Sequence, residues 1–412
     1  MRRSFMTPGR RRVQAPSRAP YIAVVGLSAR MLAQSARRAG LNVAALDIFG
    51  DRDTRRYAPL WFDIGGEGLS IDPQRLFDAL ERTARLPRML GFVAGSGLEP
   101  LVRELCSAPR LPRFIGNSAE ATAAVREPRR FFALLDRLGI RHPEVSCDPP
   151  SDPAGWLFKR ADGCGGTHIE ALDATPKKAA ANGYFQRLAA GRSMSALFVA
   201  ARRNAAVIGF AEQLSFAAGS RPFLHTGSIG PADLPPQVVA DVTTAIGLIV
   251  SNTDLTGLNS IDFLLDGDTF QVLEINARPS STMTLYETAA RQAWPRGLLA
   301  CHLDACLDGL LPTPSSHFPA ATRSRAGQRV LFAPRGFVVS TSFSDACLGD
   351  PACHDVPQPG ARIGAGEPVC TLVVTESSTS AVRDELERRE ALLLQRIETC
   401  HEHTDAVISS SA

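Results

Sequence analysis

Short apolar runs alternate with amphipathic stretches over the first third of the chain. Residues 21–26 and 41–47 are apolar runs typical of strands, and residues 27–40 between them have a helical pattern. Residues 73–85 and 88–94 repeat the order, a helical stretch followed by a strand. This alternation predicts a parallel α/β sheet. The first turn lacks the G-x-G-x-x-G pattern, which disfavours a dinucleotide site.

The pattern changes after a proline-rich segment. A helical stretch broken at Pro128 leads into Pro143, Pro149 and Pro150, which mark a linker. Residues 151–290 then show mostly period-two runs with a few helices, so they predict a separate α+β unit with antiparallel strands. The last segment combines β-rich stretches with a charged helix. We therefore expect two or three domains in 412 residues.

Two acids in the middle of the chain mark the first candidate site. Residues 259–265 and 269–275 read as two strands joined by the turn Asp266-Gly267-Asp268. A hairpin brings Asp262 and Glu274 to the same stretch of sheet, with Asn276 and Arg278 just beyond. Oxygen ligands of this kind suit Mg²⁺. A surface hairpin with solvated charges explains this stretch equally well when it is taken alone.

A lysine placed before a glycine-rich turn is the second candidate site. The strand-like run 156–160 ends on Lys159-Arg160 and leads into Gly163, Gly165 and Gly166. Glycines let backbone N–H groups approach phosphate oxygens, and the ammonium group adds a compact positive charge. An ordinary glycine-rich hairpin is the alternative. The chain has only three lysines among 45 basic residues, which favours a specific role for Lys159.

Charge and cysteine content exclude several classes of protein. The formal net charge is +3, and subtracting the six arginines of residues 1–20 leaves −3 for the rest. We read residues 1–20 as a disordered tail, and a body so close to neutral argues against nucleic acid as the partner. No apolar run is long enough for a bilayer, so we expect no membrane partner. Nine cysteines without a CxxC pair indicate reduced thiols and a cytoplasmic protein.

The order of these motifs resembles the ATP-grasp superfamily, in particular its biotin-carboxylase-like and carboxylate–amine ligase branches. The motifs are the strand–helix start at Gly26, the loop GSGLE at 95–99, FIGN at 114–117, the lysine with its glycine-rich turn, and D-x11-E-x-N-x-R. The resemblance implies α/β and α+β architecture with a Rossmann-like N-terminal domain. It implies these divisions: 1–20 tail, 21–117 pre-ATP-grasp domain, 118–150 linker helix, 151–310 ATP-grasp domain with a lid at about 151–190, and 320–412 C-terminal β-rich segment and final helix.

The resemblance also implies roles for individual residues. ATP phosphates would contact Lys159 and lie under Gly163, Gly165 and Gly166, and Arg278 would steady the transferring phosphoryl group. Two Mg²⁺ ions, with Mn²⁺ as an alternative, would be held by Asp262, Glu274 and Asn276. The adenine would lie along Phe185, Gln186, Arg187 and Leu188, and Arg129 would replace the usual nucleotide-binding lysine. Substrate contacts are expected from Ser28, Arg30 and Glu99, since ligands of α/β sheets bind at strand ends.

The implied activity is ATP-dependent ligation of a small-molecule carboxylate and an amine through an acyl phosphate. The pattern is similar to ATP-grasp proteins of the tetrahydromethanopterin-linked pathway in methylotrophic bacteria, which points to adding an amino acid such as glutamate to a methylofuran-type cofactor precursor. Two alternatives stay open. One is a carboxylase acting on bicarbonate, although the residues after Arg278 (PSSTMTLYE) lack the biotin carboxylase pattern. The other is an ATP-binding regulatory protein without catalysis. A homodimer is the candidate assembly.

Overall fold

The computed structural model describes residues 19–161, 163–172, 183–218, 221–313 and 324–409. The arginine-rich stretch 1–18 of the predicted tail lies outside the described residues. No helix in the described ranges is long and apolar enough to cross a membrane.

The first unit is built on a parallel sheet, as the alternating pattern predicts. Its strands run in the order β3-β2-β1-β4, and every neighbouring pair is parallel. Ile22 and Val24 face one apolar cluster while Ala23 and Val25 face another, so both faces of the central strand are covered. The elements of this unit are β1 (Tyr21–Val25), α1 (Arg30–Arg38), β2 (Asn42–Asp47), α2 (Arg52–Tyr57), β3 (Leu60–Asp63), α3 (Pro73–Thr83), β4 (Met89–Ala94), a short 3₁₀ turn (Glu99–Leu101) and α4 (Val102–Ser107).

Two helices connect this unit to the next, α5 (Ala119–Arg126) and α6 (Pro128–Leu138). Ser118 caps α5 by accepting a hydrogen bond from the backbone N–H of Ala121. Pro128 occupies the first turn of α6, where a missing N–H costs little, so the break predicted at this proline is confirmed.

A small sheet follows, with strands in the order β5-β8-β6-β7 and antiparallel neighbours. The run predicted at 156–160 is strand β6. The strands are β5 (Val145–Ser146), β6 (Trp156–Arg160), β7 (Ile169–Ala171) and β8 (Gly183–Arg187). This sheet carries Lys159 and, between β6 and β7, the glycine-rich turn.

The largest sheet has eight strands in the order β13-β12-β9-β10-β11-β14-β18-β16. Its elements and those that follow are β9 (Arg192–Ala201), β10 (Asn204–Ala218), β11 (Arg221–Gly230), α7 (Pro236–Thr253), β12 (Gly257–Asp266), β13 (Thr269–Asn276), α8 (Met283–Ala289), α9 (Leu298–Asp308), β14 (Arg325–Phe332), β15 (Phe337–Val338), α10 (Thr341–Gly349), β16 (Cys353–His354), β17 (Arg362–Ile363), β18 (Pro368–Glu376) and α11 (Thr379–Ser409). Strands of the C-terminal segment extend this sheet through the antiparallel pairing of β11 with β14. The segment that reads as separate in the sequence thus shares a sheet with the central unit.

The C-terminal segment also contacts the first unit. The carboxylate of Asp53 accepts hydrogen bonds from the backbone N–H groups of Asp355 (2.9 Å) and Val356 (3.0 Å). Arg30 donates to the carboxylate of Asp355 through Nε and a terminal nitrogen, each at 3.1 Å. These contacts join residues more than 300 positions apart, so the C-terminal segment packs directly against the first unit.

Candidate functional site

The acidic hairpin forms as the sequence predicts. Asp262 on β12 lies directly opposite Glu274 on β13, and the strand register shifts just after this pair. Asn276 joins them by donating from Nδ2 to Asp262 Oδ2 (3.0 Å) and to Glu274 Oε1 (3.4 Å). The three side chains therefore share one patch of the sheet. Their role as metal ligands stays a prediction.

Asn276 is turned away from the orientation a metal ligand needs. Its N–H group faces the two acids, while its Oδ1 accepts from a terminal nitrogen of Arg278 at 3.3 Å. Only the amide oxygen can bind a cation, so the side-chain amide would have to turn over. The side-chain N–H groups of Asn276 thus lie between the two carboxylates, where a bound cation would otherwise lie.

The two acids have opposite electrostatic environments. Burial, and next the charge of Glu274, raise the pKa of Asp262. Burial also works against the charge of Glu274, but nearby cationic groups, Arg126 first among them, hold its pKa below the usual value. The charged form of Glu274 is therefore favoured, whereas the charged form of Asp262 is not.

Arg278 lies beside this patch and forms a buried ion pair. Its Nε donates to Glu99 Oε1 at 2.7 Å, and the exposed fractions of the two side chains are 16% and 10%. Glu99 Oε2 accepts from the backbone N–H of Gly97 at 2.7 Å. Arg278 and burial act in opposite directions on Glu99, and the net effect lowers its pKa. The structure therefore brings Glu99, a predicted substrate residue, to the predicted phosphoryl-binding arginine.

Lys159 is buried, with an exposed fraction of 4%. Burial lowers its pKa, and the carboxylates of Glu274 and Asp262 act in the opposite direction. The lysine of the small sheet is therefore close enough to the acids of the large sheet for their charges to act on it. This is the arrangement that the sequence predicts for a phosphate site.

The glycine-rich turn packs closely on strand β11. The backbone N–H of His225 donates to Gly165 O at 3.0 Å. Gly166 has φ +76°, and a Cβ there would lie 1.8 Å from Phe223 O, so only glycine fits. A Cβ on Gly163 would lie 2.0 Å from Cβ of His168. The three glycines form a flap that is held against the backbone of strand β11.

Arg126 is a site residue that the sequence analysis missed. It ends helix α5, and a terminal nitrogen donates to Ala161 O (2.7 Å) and Gly163 O (2.8 Å), which fixes the flap. Arg129, the predicted nucleotide contact, has an exposed side chain and does not line either cleft described below. The sequence offers one indication of this role, which is that Arg126 immediately precedes the helix break at Glu127-Pro128. The chain is so rich in arginine that a single functional arginine is hard to recognise.

The strand predicted to hold an adenine is strand β8 and its continuation. Phe185 and Gln186 are fully buried, whereas Arg187 and Leu188 are exposed. The backbone N–H of Arg187 donates to Glu144 O and that of Leu188 to Gly155 O, each at 2.8 Å. These two N–H groups are engaged within the protein, so they are not free to meet a base. The adenine contact stays a prediction for all four residues.

Ser28 and Arg30, the other predicted substrate residues, are engaged elsewhere. Ser28 Oγ donates to Asp355 Oδ1 at 2.9 Å, and Arg30 makes the ion pair with the same carboxylate. Neither lines the two clefts beside the hairpin. Of the three predicted substrate residues, the structure brings only Glu99 to the acidic patch.

Two clefts meet at the hairpin. The first lies between the strand ends of the first unit and the residues around Arg278. The second lies between helices α5–α6 and the small sheet, and ends at Glu274. Arg126 lines both.

Several buried polar atoms around the hairpin have no hydrogen-bond partner within the described residues. They are Asp262 Oδ1, Ser195 Oγ, Ser260 Oγ, His168 Nδ1 and Arg126 Nε. Ser195 and Ser260 flank the acids, opposite Asp262 and Asn276 respectively. Buried polar groups are normally paired, so this concentration indicates a site that is completed by a polar ligand.

A protein-family model now identifies the central region: residues 129–282 match the model described as ATP-grasp domain. This central region is similar to an ATP-grasp domain. This matched region includes Lys159, the flap, the acidic hairpin and Arg278.

Relatives and solved structures extend the likeness beyond this domain. The chain is 23% identical over 274 residues to the carbamoyl phosphate synthase large chain of Myxococcus xanthus, covering 61% of this chain and 25% of that protein. The chain thus spans about a quarter of the length of that curated relative. A Campylobacter jejuni biotin carboxylase–beta-gamma-ATP complex is 13% identical, with a TM-score of 0.66 over 91% of this chain and 95% of that one. The L-amino acid ligase of Bacillus licheniformis is 15% identical, with a TM-score of 0.64 over 92% and 97%.

At these identities the solved structures establish the fold. The prediction of an ATP-grasp fold with an N-terminal parallel α/β sheet is confirmed. Both structural relatives align over more than nine tenths of the chain, so the likeness includes the first unit and the C-terminal segment.

Proposed function

We propose that the protein is an ATP-dependent carboxylate–amine ligase, which forms an amide through an acyl phosphate and releases ADP and phosphate. The observation that carries the proposal is the pairing of Asp262 with Glu274, whose charges act on the buried Lys159. Phosphoryl transfer asks a protein mainly for positioning and charge neutralisation, and this arrangement supplies both. The name of one structural relative, L-amino acid ligase, supports the reaction class.

Magnesium fits the donor atoms at the hairpin. Asp262 Oδ1 is buried without a hydrogen-bond partner in the described residues, and Glu274 is held in its charged form. No three His, Cys, Asp or Glu side chains converge on a metal position in the described part of the chain. An ion here would therefore be held by the two carboxylates and the turned Asn276 amide, with water and phosphate oxygens in its remaining positions. When bound, it would neutralise the phosphate charge.

The nucleotide is assigned to the second cleft. Its walls include the aromatic residues Phe131, Phe132 and Tyr184, which suit a base, and it ends at Glu274, which suits the phosphates. Lys159 and Arg126 would pair with phosphate oxygens, and the flap would exclude water from them. Arg278 would stabilise the charge on the transferring phosphoryl group from the other side of the hairpin.

The carboxylate substrate would attack the γ-phosphorus, and the bond to the bridging oxygen of ADP would break. The amine nitrogen would then attack the acyl carbon, and phosphate would leave. For the amine we propose an amino acid, glutamate first, in the synthesis of a methylofuran-type cofactor. This assignment rests on the sequence resemblance. We also propose that the protein acts in the cytoplasm as a homodimer.

One experiment separates the ligase from its alternatives. Purified protein with Mg²⁺ and ATP is incubated with cell extract, and mass spectrometry searches for a product formed by loss of water, with ADP measured in parallel. ADP release that requires an amino acid and not bicarbonate supports a ligase. ADP release with bicarbonate alone would favour the carboxylase, and ATP binding without ADP release in any mixture would favour a regulatory protein.

A further inference from the structure

The first cleft is lined mainly by apolar side chains and has polar side chains at one end. Its apolar lining residues include Leu98, Val102, Phe114, Ile115, Ala277 and Pro279. Its charged groups, Glu99, Arg126 and Arg278, are those already placed at the hairpin. A ligand in this cleft would therefore have an apolar body and one polar end that faces the hairpin.

The charge at the polar end favours an anion. Glu99 and Arg278 neutralise each other through their 2.7 Å contact. Glu99 has one oxygen bonded to Arg278 and the other to the backbone of Gly97, so it is poorly placed to bind an amine. Arg126 Nε is buried and lacks a hydrogen-bond partner among the described residues, so this guanidinium group has a donor left for an anion. A carboxylate is the small-molecule anion that this end would attract.

Two further polar side chains in the cleft, those of Asn117 and His302, make hydrogen bonds within the protein. Asn117 donates to Asn259 Oδ1 (2.7 Å) and Ala277 O (2.9 Å), and accepts from the backbone N–H of Thr256 (2.7 Å). His302 accepts from Leu258 N–H at Nδ1 (2.9 Å), which leaves its Nε2–H to donate to Ile115 O (3.0 Å). Both side chains are at least 98% buried. Neither is available to a second polar group on the substrate.

We infer that the acid substrate is a monocarboxylic acid with an apolar body, bound with its carboxylate between Arg126 and Arg278. This inference rests on the proposed ligase function and names the substrate class of the same site. Bicarbonate has no apolar part, so it would make no use of the apolar walls of the cleft. A dicarboxylic acid would bury its second charge against the apolar walls without a counter-charge, which is costly.

The inferred substrate class can be tested without knowing the natural amine, because hydroxylamine can take its place. An acyl phosphate reacts with hydroxylamine to give a hydroxamate and phosphate, so the full-length protein with Mg²⁺ and ATP is offered hexanoate, phenylacetate, succinate and bicarbonate. Hydroxamate and ADP are both measured. We expect kcat/KM for hexanoate to exceed that for succinate, which has the same number of heavy atoms, by at least about tenfold.

A pair of variants on helix α4 locates the binding site. Val102 lines the cleft, and its neighbour Arg103 is exposed and does not. Val102→Phe should raise KM for phenylacetate at least about tenfold and leave KM for ATP unchanged, because it fills the cleft far from the phosphates. Arg103→Ala should change neither.

Failure of the inference is distinguishable from failure of the proposed function. If the enzyme prefers succinate or bicarbonate, the inference of an apolar substrate is wrong, but the proposal that the enzyme activates an acid with ATP still stands. An unchanged KM for phenylacetate in Val102→Phe would overturn the assignment of this cleft. If none of the acids yields hydroxamate or ADP although ATP binds, the ligase proposal fails, and the substrate inference fails with it.

Discussion

Glu99 and Arg278 form an ion pair at 2.7 Å, although 179 positions separate them in the sequence. Glu99 belongs to the loop after the last parallel strand, and Arg278 follows the hairpin of the large sheet. The contact therefore joins the first unit to the ATP-grasp domain at the point where the two clefts meet. It also fixes the guanidinium group beside Asn276.

Removing the charge of Glu99 should destabilise the protein. Glu99→Gln keeps an oxygen for Arg278 but leaves a buried guanidinium group without a counter-charge, which should lower the free energy of unfolding by about 2–3 kcal/mol. Urea denaturation measures this. Glu104→Gln, on the exposed face of the nearby helix, is the matched control and should change little. Equal stabilities of the two variants would show that the ion pair is not a significant interdomain contact.

Arg126 and Arg129 distinguish the structural assignment from the sequence prediction. Arg126→Ala removes two hydrogen bonds to the flap and a cation near Glu274, so ATP affinity should fall about tenfold or more. Arg129→Ala, two positions into the next helix and exposed, should leave the affinity within about twofold. Titration calorimetry with Mg²⁺ and a non-hydrolysable ATP analogue measures both. The reverse order of effects would restore Arg129 as the nucleotide contact.

The parts of the site that are local in sequence could be predicted from the residues. The alternation of side chains along 259–276 is enough to place Asp262 and Glu274 on one patch, because the turn between the strands is short. Strand β6 and the turn after it could also be predicted, since Lys159 and the glycines lie within a few positions of one another in the sequence. The parallel sheet followed from apolar runs that are buried on both faces.

The parts of the structure that depend on long-range contacts could not be predicted from the sequence. The sequence around Ser28 and Arg30 does not indicate that both side chains donate hydrogen bonds to Asp355, because Asp355 lies 325 or more positions away. The joining of strand β14 to β11 is also invisible, since an edge strand accepts any partner with a matching backbone. Arg126 was missed for the same reason, as its carbonyl partners belong to the flap.

Lys159 should contribute strongly to nucleotide binding. Lys159→Ala removes a buried ammonium group facing two carboxylates and, by our proposal, the ATP phosphates. The loss should be about 2–5 kcal/mol, which is roughly thirtyfold or more in affinity. Calorimetric titration with the ATP analogue is the measurement, and Arg192→Ala, at the exposed start of strand β9, is the control. Normal binding by Lys159→Ala would remove this residue from the site.

The acidic cluster between the first unit and the C-terminal segment predicts a dependence of stability on pH. Burial raises the pKa of Asp51 well above its usual value, and the charges of Asp355 and Asp47 raise it further. Burial acts the same way on Asp355, but the ion pair with Arg30 outweighs it and lowers the pKa to about 2. The two aspartates should therefore have effects of opposite sign.

For Asp51, a raised pKa in the folded state means that the folded protein holds the proton more tightly than the unfolded chain does. Stability is then lost as the pH rises through the folded pKa. Asp51→Asn carries no charge at any pH, and Asp51 makes no side-chain capping bond that the change would remove. The variant should be more stable than the natural protein at pH 8, by about 1 kcal/mol or more, and this gain should vanish near pH 4.

For Asp355, a lowered pKa in the folded state means that the carboxylate stabilises the fold above its unfolded pKa. This stabilisation is lost as the pH falls through about 2. Asp355→Asn should therefore be less stable than the natural protein at pH 8 and at pH 5, by about 2–4 kcal/mol, because Arg30 is left buried without its main partner. The deficit should shrink only below about pH 4. Thermal unfolding from pH 4 to 8 measures the Asp51→Asn effect and the Asp355→Asn deficit. If both variants shift stability in the same direction at pH 8, the two aspartates do not have the opposite environments described here.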